Sequence, residues 1–253
     1  MSDMVDKRAG ADGEVGSAAM ILAAGLGTRM RPLTETTPKP LVRLAGRAML
    51  DHTVDRLKTS GVGRVVVNVH HLADQVERHV AALSGLDVAI SDERDLLLDT
   101  GGGLARALPE LGQNAFFVLN SDSIWIERHI PLLDRLRLNW RDDEMDCLLA
   151  LCPTGDALGF SGPGDFTCGP SGLLARRVED TAPYVNTGIY LAHPRIFRDI
   201  PEGPFSMNLL WDRAIEQGRL YGLEFDGLWM HVGTPDALVD AEQRLAELSA
   251  GRP

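Results

Sequence analysis

The segment 20–42, MILAAGLGTRMRPLTETTPKPLV, restricts this chain more than any other stretch of it. Its first residues, 20–24, are a short apolar run of the buried-strand type. The run breaks into a loop that carries Gly25 and Gly27, then Arg29 and Arg31, then Lys39 held between Pro38 and Pro40. Glycines let backbone N–H groups come close to a phosphate, and cations neutralise it. The flanking prolines restrict the backbone around the lysine. Together these are the parts of a site for a nucleoside triphosphate. Met30 stands where the dinucleotide G-x-G-x-x-G needs its third glycine, and no Gly-Lys-Ser/Thr closes the loop, so neither that motif nor the Walker loop is present.

Strand and helix patterns alternate behind this segment. Residues 47–60 read as a helix, with Leu50, Val54 and Leu57 on one face. Residues 65–69 (VVVNV) read as a buried β-branched strand, 72–83 as a helix, 86–90 as a short strand and 115–120 (AFFVLN) as another strand, while 98–103 (LDTGGG) open a further helix. This alternation predicts an α/β fold with a doubly wound, mainly parallel sheet, and ligand loops at the carboxyl ends of its strands. The second half is more mixed. Strands are expected at 146–151, 184–192, 220–225 and 229–232 and a helix at 206–217. Residues 152–171, rich in Gly and Pro, are expected to form a loop over the site, with a hairpin as a further option. Thr234 and Pro235 start the last helix as its cap and first residue.

With 253 residues and 44% hydrophobic content the chain can form one large domain. Residues 1–17 are small, charged and glycine-rich, lack the apolar core of a signal peptide, and are expected to be a disordered tail ahead of a single domain over 18–253. A formal net charge of −11 argues against non-specific nucleic-acid binding, so clustered cations in this chain point to a local anionic ligand. No run approaches the roughly 18 apolar residues of a membrane span. Cys147, Cys152 and Cys168 show no C-x-x-C spacing, which points to reduced thiols and a cytoplasmic protein.

The fixed positions of residues 22–40 resemble, one by one, the signature L-A-A-G-x-G-T-R-(M/L)-x-P-L-T-x-x-x-P-K-P of the sugar-1-phosphate nucleotidyltransferases, the NDP-sugar pyrophosphorylases. The resemblance implies a Rossmann-like nucleotidyltransferase fold and a nucleotide site on Leu22, Ala23, Ala24, Gly25, Gly27, Thr28, Arg29 and Lys39. Three further segments fit it. The loop 98–103 resembles the one that contacts base and ribose, which implicates Thr100, Gly101 and Gly102. Asp122, after Asn120 and Ser121, resembles the aspartate that binds Mg²⁺. Asn186, Thr187 and Gly188, together with Gly164 and Asp165, resemble the segments that meet the sugar. The run 229–235 (WMHVGTP) departs from the family's W-x-D-V-G-T-P: His231 replaces the second metal-binding aspartate. Mg²⁺ favours oxygen ligands, so Asp122 is expected to be the principal protein ligand, with His231 a weaker one. The chain also has no lysine after Lys58. Contact with a sugar phosphate is left to Arg176 or Arg177, to backbone, or to Lys39 alone.

The implied reaction is nucleotidyl transfer from an NTP to a sugar-1-phosphate, with Arg29, Lys39 and Asp122 as the catalytic set and Mg²⁺ as cofactor. Within the family the chain looks most like the N-acetylmuramate-1-phosphate uridylyltransferases of cell-wall recycling. Mannose- or glucose-1-phosphate nucleotidyltransferases, phosphocholine-type cytidylyltransferases and, in another class, a non-catalytic nucleotide-sugar sensor are the alternatives. The expected partners are these small-molecule substrates, with neither nucleic acid nor membrane, for a monomer or small homo-oligomer.

Overall fold

The computed structural model describes residues 14–250. Its first half runs β1 (Ala18–Leu22), a small ribbon of β2 (Arg43–Leu44) and β3 (Arg47–Ala48), α1 (Met49–Thr59), β4 (Arg64–Val69), α2 (Ala73–Ala81), β5 (Asp87–Asp92), α3 (Asp99–Leu111) and β6 (Phe116–Asn120). There follow β7 (Ser123–Glu127), α4 (Leu132–Asn139), β8 (Cys147–Pro153), β9 (Phe166–Cys168), β10 (Leu174–Arg176) and β11 (Tyr184–Ala192). The chain closes with α5 (Met207–Glu216), β12 (Leu220–Glu224), β13 (Gly227–His231) and α6 (Pro235–Ala250).

The main sheet has the order β10-β9-β11-β6-β1-β4-β5, and β8 joins β11 to β12. Strands β6, β1, β4 and β5 are mutually parallel; β11 runs antiparallel to β6 and β8. The fold is therefore the α/β class expected, with a parallel centre and a mixed second half. Strand periodicity explains the layers, because successive side chains point to opposite faces. Ala19 and Ile21 of β1, with Val65 and Val67 of β4, pack against α1, α2 and α4. Ala18 and Met20, with Val66, Phe116 and Val118, pack against α3 and α5. A sheet covered on both faces reads as unbroken apolar runs, as β4 does.

A third, smaller cluster lies beside the carboxyl ends of these strands. It joins Met30, Leu44, Met49, Ile124, Met230, Val232 and Ala241. It seats the signature loop and a separate two-stranded ribbon, β7 with β13. Strand β7 has no counterpart in the sequence reading, which ended the preceding strand at Ser121 and Asp122; what makes it a strand is its pairing with β13.

Two further expectations are revised. Residues 152–171 do not roof the cleft described below, and none of them lines it. Instead, Phe166–Cys168 pair with β10 as an antiparallel hairpin, and around Leu158 the segment runs alongside β13, where Leu158 N–H donates to Trp229 O and His231 N–H donates to Leu158 O. Gly159 makes this approach possible: its φ is +74°, and a Cβ there would lie 2.5 Å from His231 O. Of the expected tail, residues 1–13 lie outside the described residues. Residues 14–17 pack on the domain: Gly16 N–H donates to Ala115 O at 2.7 Å, and the Arg137 guanidinium donates to Val15 O and Gly16 O.

Candidate active site

The carboxyl ends of the parallel strands open into a cleft of about 530 Å³. Its first wall is the loop that leaves β1. Gly27 has a φ of +63°, and a Cβ there would lie 2.9 Å from Thr34 Cγ2. Only glycine fits both constraints. The Thr34 hydroxyl donates to Gly27 O at 2.7 Å and closes the loop on itself. Met30, at the position of the missing third glycine, is fully buried in the third cluster and anchors the loop from behind. Leu22, Ala23, Ala24, Gly25, Gly27, Thr28, Arg29 and Lys39 all line the cleft, as the signature implies. The Arg29 side chain is exposed and makes no hydrogen bond or ion pair among the described residues, so its charge is available to a ligand.

Asp122 sits in the turn between β6 and β7, opposite Lys39. Lys39 Nζ donates to Asp122 Oδ2 at 2.5 Å, and His231 Nε2 lies 3.2 Å from the same oxygen. All three side chains are mostly buried. Burial alone pushes the Asp122 carboxyl up; the hydrogen bond from His231 and the ammonium of Lys39 outweigh it and hold the group well below the usual carboxylate range. His231 is placed by the register of the ribbon, in which it faces Ser123, and by stacking on Trp229 with the ring planes 6° apart. Val232 N–H donates to Asp122 O and ties the two turns together. The cluster thus unites residues from three distant parts of the sequence.

The loop before α3 is arranged differently from expectation. Thr100 lines the cleft, but Gly101 and Gly102 do not. Their N–H groups donate to Phe205 O, and added Cβ atoms would lie 2.4 Å from the Phe205 ring and 2.8 Å from Gly203 O, respectively. These glycines let α3 start against the segment that leads into α5, and their N–H groups are taken up by Phe205 O.

The segments implied for the sugar form a connected group beside the cleft, and none of them lines it directly. Asp165 Oδ2 accepts from Asn186 N–H at 2.9 Å, and Asn186 Oδ1 accepts from Gly188 N–H at 3.0 Å. Gly188 abuts the cleft residue Asn120, because a Cβ there would lie 2.4 Å from Asn120 Nδ2. Thr187 is buried, with its hydroxyl donating to Ala150 O, so its side chain serves the sheet. Gly164, at φ +83°, is required where the chain passes Ala182 O. The two arginines offered for a sugar phosphate are engaged elsewhere. Arg176 donates to Asp212 and Asn208 and lies over the Phe166 ring, while Arg177 donates to the carbonyls of Glu179 and Asp180.

Eight cleft residues have no site role in the sequence analysis: Asn68, Glu93, Pro40, Leu97, Asp99, Asn120, Ser121 and Gly233. The signal for the first was available, since Asn68 interrupts the valines of β4 with an amide.

Comparison with known proteins agrees with this geometry. Residues 19–197 match the family of MobA-like NTP transferase domains. The chain is 47% identical over 234 residues to an N-acetylmuramate alpha-1-phosphate uridylyltransferase from Caulobacter vibrioides, covering 90% of this chain and 97% of that protein. It is 33% identical over 230 residues to the mannose-1-phosphate guanylyltransferase catalytic subunit beta of Danio rerio, covering 86% of this chain and 61% of that longer protein. Among solved structures, the inositol-1-phosphate CTP transferase from T. maritima superposes with a TM-score of 0.76, covering 96% of this chain and 99% of that one. At 18% identity that likeness speaks for the fold.

Proposed function

The chain belongs to the family of MobA-like NTP transferase domains, and we propose that it moves the uridylyl group of UTP onto N-acetylmuramate 1-phosphate. It is a nucleotidyltransferase acting on a sugar-1-phosphate; the base, the sugar, the metal and the residue roles are the proposal. The observation that carries it is the likeness to the Caulobacter uridylyltransferase along nearly that protein's whole length. The mannose-1-phosphate relative is matched less closely and over a smaller share of its length.

In the proposed reaction a phosphate oxygen of the sugar-1-phosphate attacks the α-phosphorus of UTP. The bond to the bridging oxygen breaks, and pyrophosphate leaves with that electron pair. No covalent intermediate on the protein is needed, so catalysis rests on placement and charge. The N–H groups around Gly25 and Gly27 cradle the triphosphate and Arg29 balances the leaving pyrophosphate. Lys39 stands between the α-phosphate and the incoming phosphate. Thr100 borders the nucleoside, and Asn186 and Asp165, next to Asn120, meet the sugar.

The donor set at Asp122 fits a magnesium ion. Oδ2 is held by Lys39 and His231, while Oδ1 has no hydrogen-bond partner among the described residues. One carboxylate oxygen with a nearby imidazole suits a cation that keeps waters and takes its other ligands from phosphates. Asp122 would hold the ion with His231 as a weaker partner, and the ion would supply charge neutralisation at the phosphate oxygens. We place the enzyme in the cytoplasm, in peptidoglycan recycling, as a monomer or small homo-oligomer without nucleic-acid or membrane partners. No helix among the described residues is long and apolar enough to cross a membrane.

The test is a matrix of UTP, GTP, CTP and dTTP against N-acetylmuramate, mannose and glucose 1-phosphates, scored by pyrophosphate release. UTP with N-acetylmuramate 1-phosphate is expected to be fastest. A preference for GTP with mannose 1-phosphate would replace the proposed substrates. Nucleotide binding without pyrophosphate release from any pair would identify a sensor.

A further inference from the structure

Asn68 and Glu93 lie on the floor of the cleft, yet they are 3% and 0% exposed. Asn68 is the last but one residue of β4, and Glu93 follows β5, its parallel neighbour. Their hydrogen bonds form one unbroken chain. Ala23 N–H donates to Asn68 Oδ1 at 2.7 Å, Asn68 Nδ2 donates to Glu93 Oε1 at 2.7 Å, and Leu98 N–H donates to Glu93 Oε2 at 3.0 Å. The chain starts in the signature loop and ends at the residue before α3, so it spans the two walls that face each other across the cleft. The orientation of the amide is set by this arrangement, because only its oxygen can accept from Ala23 and only its nitrogen can donate to a carboxylate. Gly103, the third glycine of D-T-G-G-G, makes room for the pair: a Cβ there would lie 2.7 Å from Glu93 Oε1 and 3.0 Å from Asn68 Nδ2.

We propose that Asn68 and Glu93 are positioning residues for the nucleotide, setting the separation of the Ala23 wall from the Thr100 wall and through it the affinity for the NTP. This rests on the reading of the cleft as a nucleotide site. A buried polar chain in which each amide and carboxylate atom has a partner defines one arrangement, and a single mismatch within it is costly. Such a pair holds two loops at one spacing, where apolar packing would let them slide.

The donor pattern supplies its own test. Glu93→Gln turns an NH₂ toward either the Asn68 NH₂ or the Leu98 N–H. Asn68→Asp sets two carboxylates against each other. The combined variant restores every bond: Asp at 68 accepts from Ala23 and from the new glutamine, whose oxygen accepts from Leu98. Net charge and atom count match the wild type. The measurements are UTP binding by calorimetry with Mg²⁺ present, and the KM for UTP against kcat. Each single variant is expected to raise the Kd and KM for UTP about tenfold or more, with a smaller effect on kcat. The combined variant is expected to return both to within about threefold of wild type. Single variants that bind UTP like wild type, whatever their melting temperatures, would overturn the proposal. So would a combined variant no better than the singles. Should neither single variant fold, the combined one decides alone, since it must fold and bind UTP. Wild-type protein that binds none of the four NTPs would remove the nucleotide reading first, and the positioning role with it.

Discussion

Replacing Lys39 by Met removes one charge and keeps a side chain of similar length. The cost to stability follows from its partner. Lys39 and Asp122 are 13% and 15% exposed, and their charged atoms lie 2.5 Å apart. Breaking a fully buried pair costs about 3–5 kcal/mol. Asp122 keeps the imidazole of His231 at 3.2 Å and borders the cleft, so the loss here is expected to be about 1–2 kcal/mol. At roughly 2–4 °C per kcal/mol for a domain of this size, the melting temperature should fall by about 2–8 °C at pH 7. The pH dependence has a definite sign. A carboxyl held below its unfolded value stabilises the fold fully above that value, near 4, and the contribution is lost as pH falls through the folded one. The gap between variant and wild type is therefore complete at pH 7 and narrows only below about pH 4. Turnover should suffer more, since one preorganised charge lost from the transition state costs about 3 kcal/mol, roughly a hundredfold. Thermal melts across pH and pyrophosphate release read the two effects separately. A folded Lys39→Met protein with wild-type kcat would remove Lys39 from the chemistry. Lost turnover with an unchanged melting temperature would show that Asp122 does not depend on the pair.

Gly188→Ala forces a side chain onto a φ of +73° and a Cβ to within 2.4 Å of Asn120 Nδ2; a stability loss of about 1–3 kcal/mol is expected in denaturant melts, together with a raised KM for the sugar phosphate. Activity titrated against Mg²⁺ should be nearly abolished in Asp122→Ala and only reduced in His231→Ala; equal loss in both would make His231 a full ligand. Extending a deletion from residues 1–13 to 1–17 removes two of the four acceptors of Arg137 and the bond from Gly16 to Ala115, and should lower the melting temperature by several degrees, about 1–2 kcal/mol. An unchanged melt would show that these contacts are dispensable.

The parallel centre of the sheet was legible because strands covered on both faces read as unbroken apolar runs, β4 most clearly. Lys39 was legible as a cleft residue from the glycines, cations and prolines around it, and Asp122 through the resemblance of its turn to the family's. Other residues depended on partners that sequence order hides. Strand β7 exists through β13, some hundred residues later. Gly101 and Gly102 looked like open backbone, yet glycine serves crowding as well as access, and Phe205 decides which. Arg176 had the charge a phosphate needs, but Asp212 and Phe166 hold it. Nothing in sequence order sets Glu93 beside Asn68; the parallel register of β4 and β5 does.

The ribbon of β7 and β13 has a consequence for the moment at which activity can arise. The glycine loop is complete by residue 40 and the turn with Asp122 follows β6, but the imidazole that meets Asp122 arrives on the strand before the final helix. During synthesis, a chain on which residue 231 is still to be made can have the glycine loop and Asp122, without the imidazole that helps set that carboxyl's charge. The same third cluster that anchors Met30 draws on Met230 and Ala241. The cluster of Lys39, Asp122 and His231 is therefore assembled only after nearly the whole chain has been made.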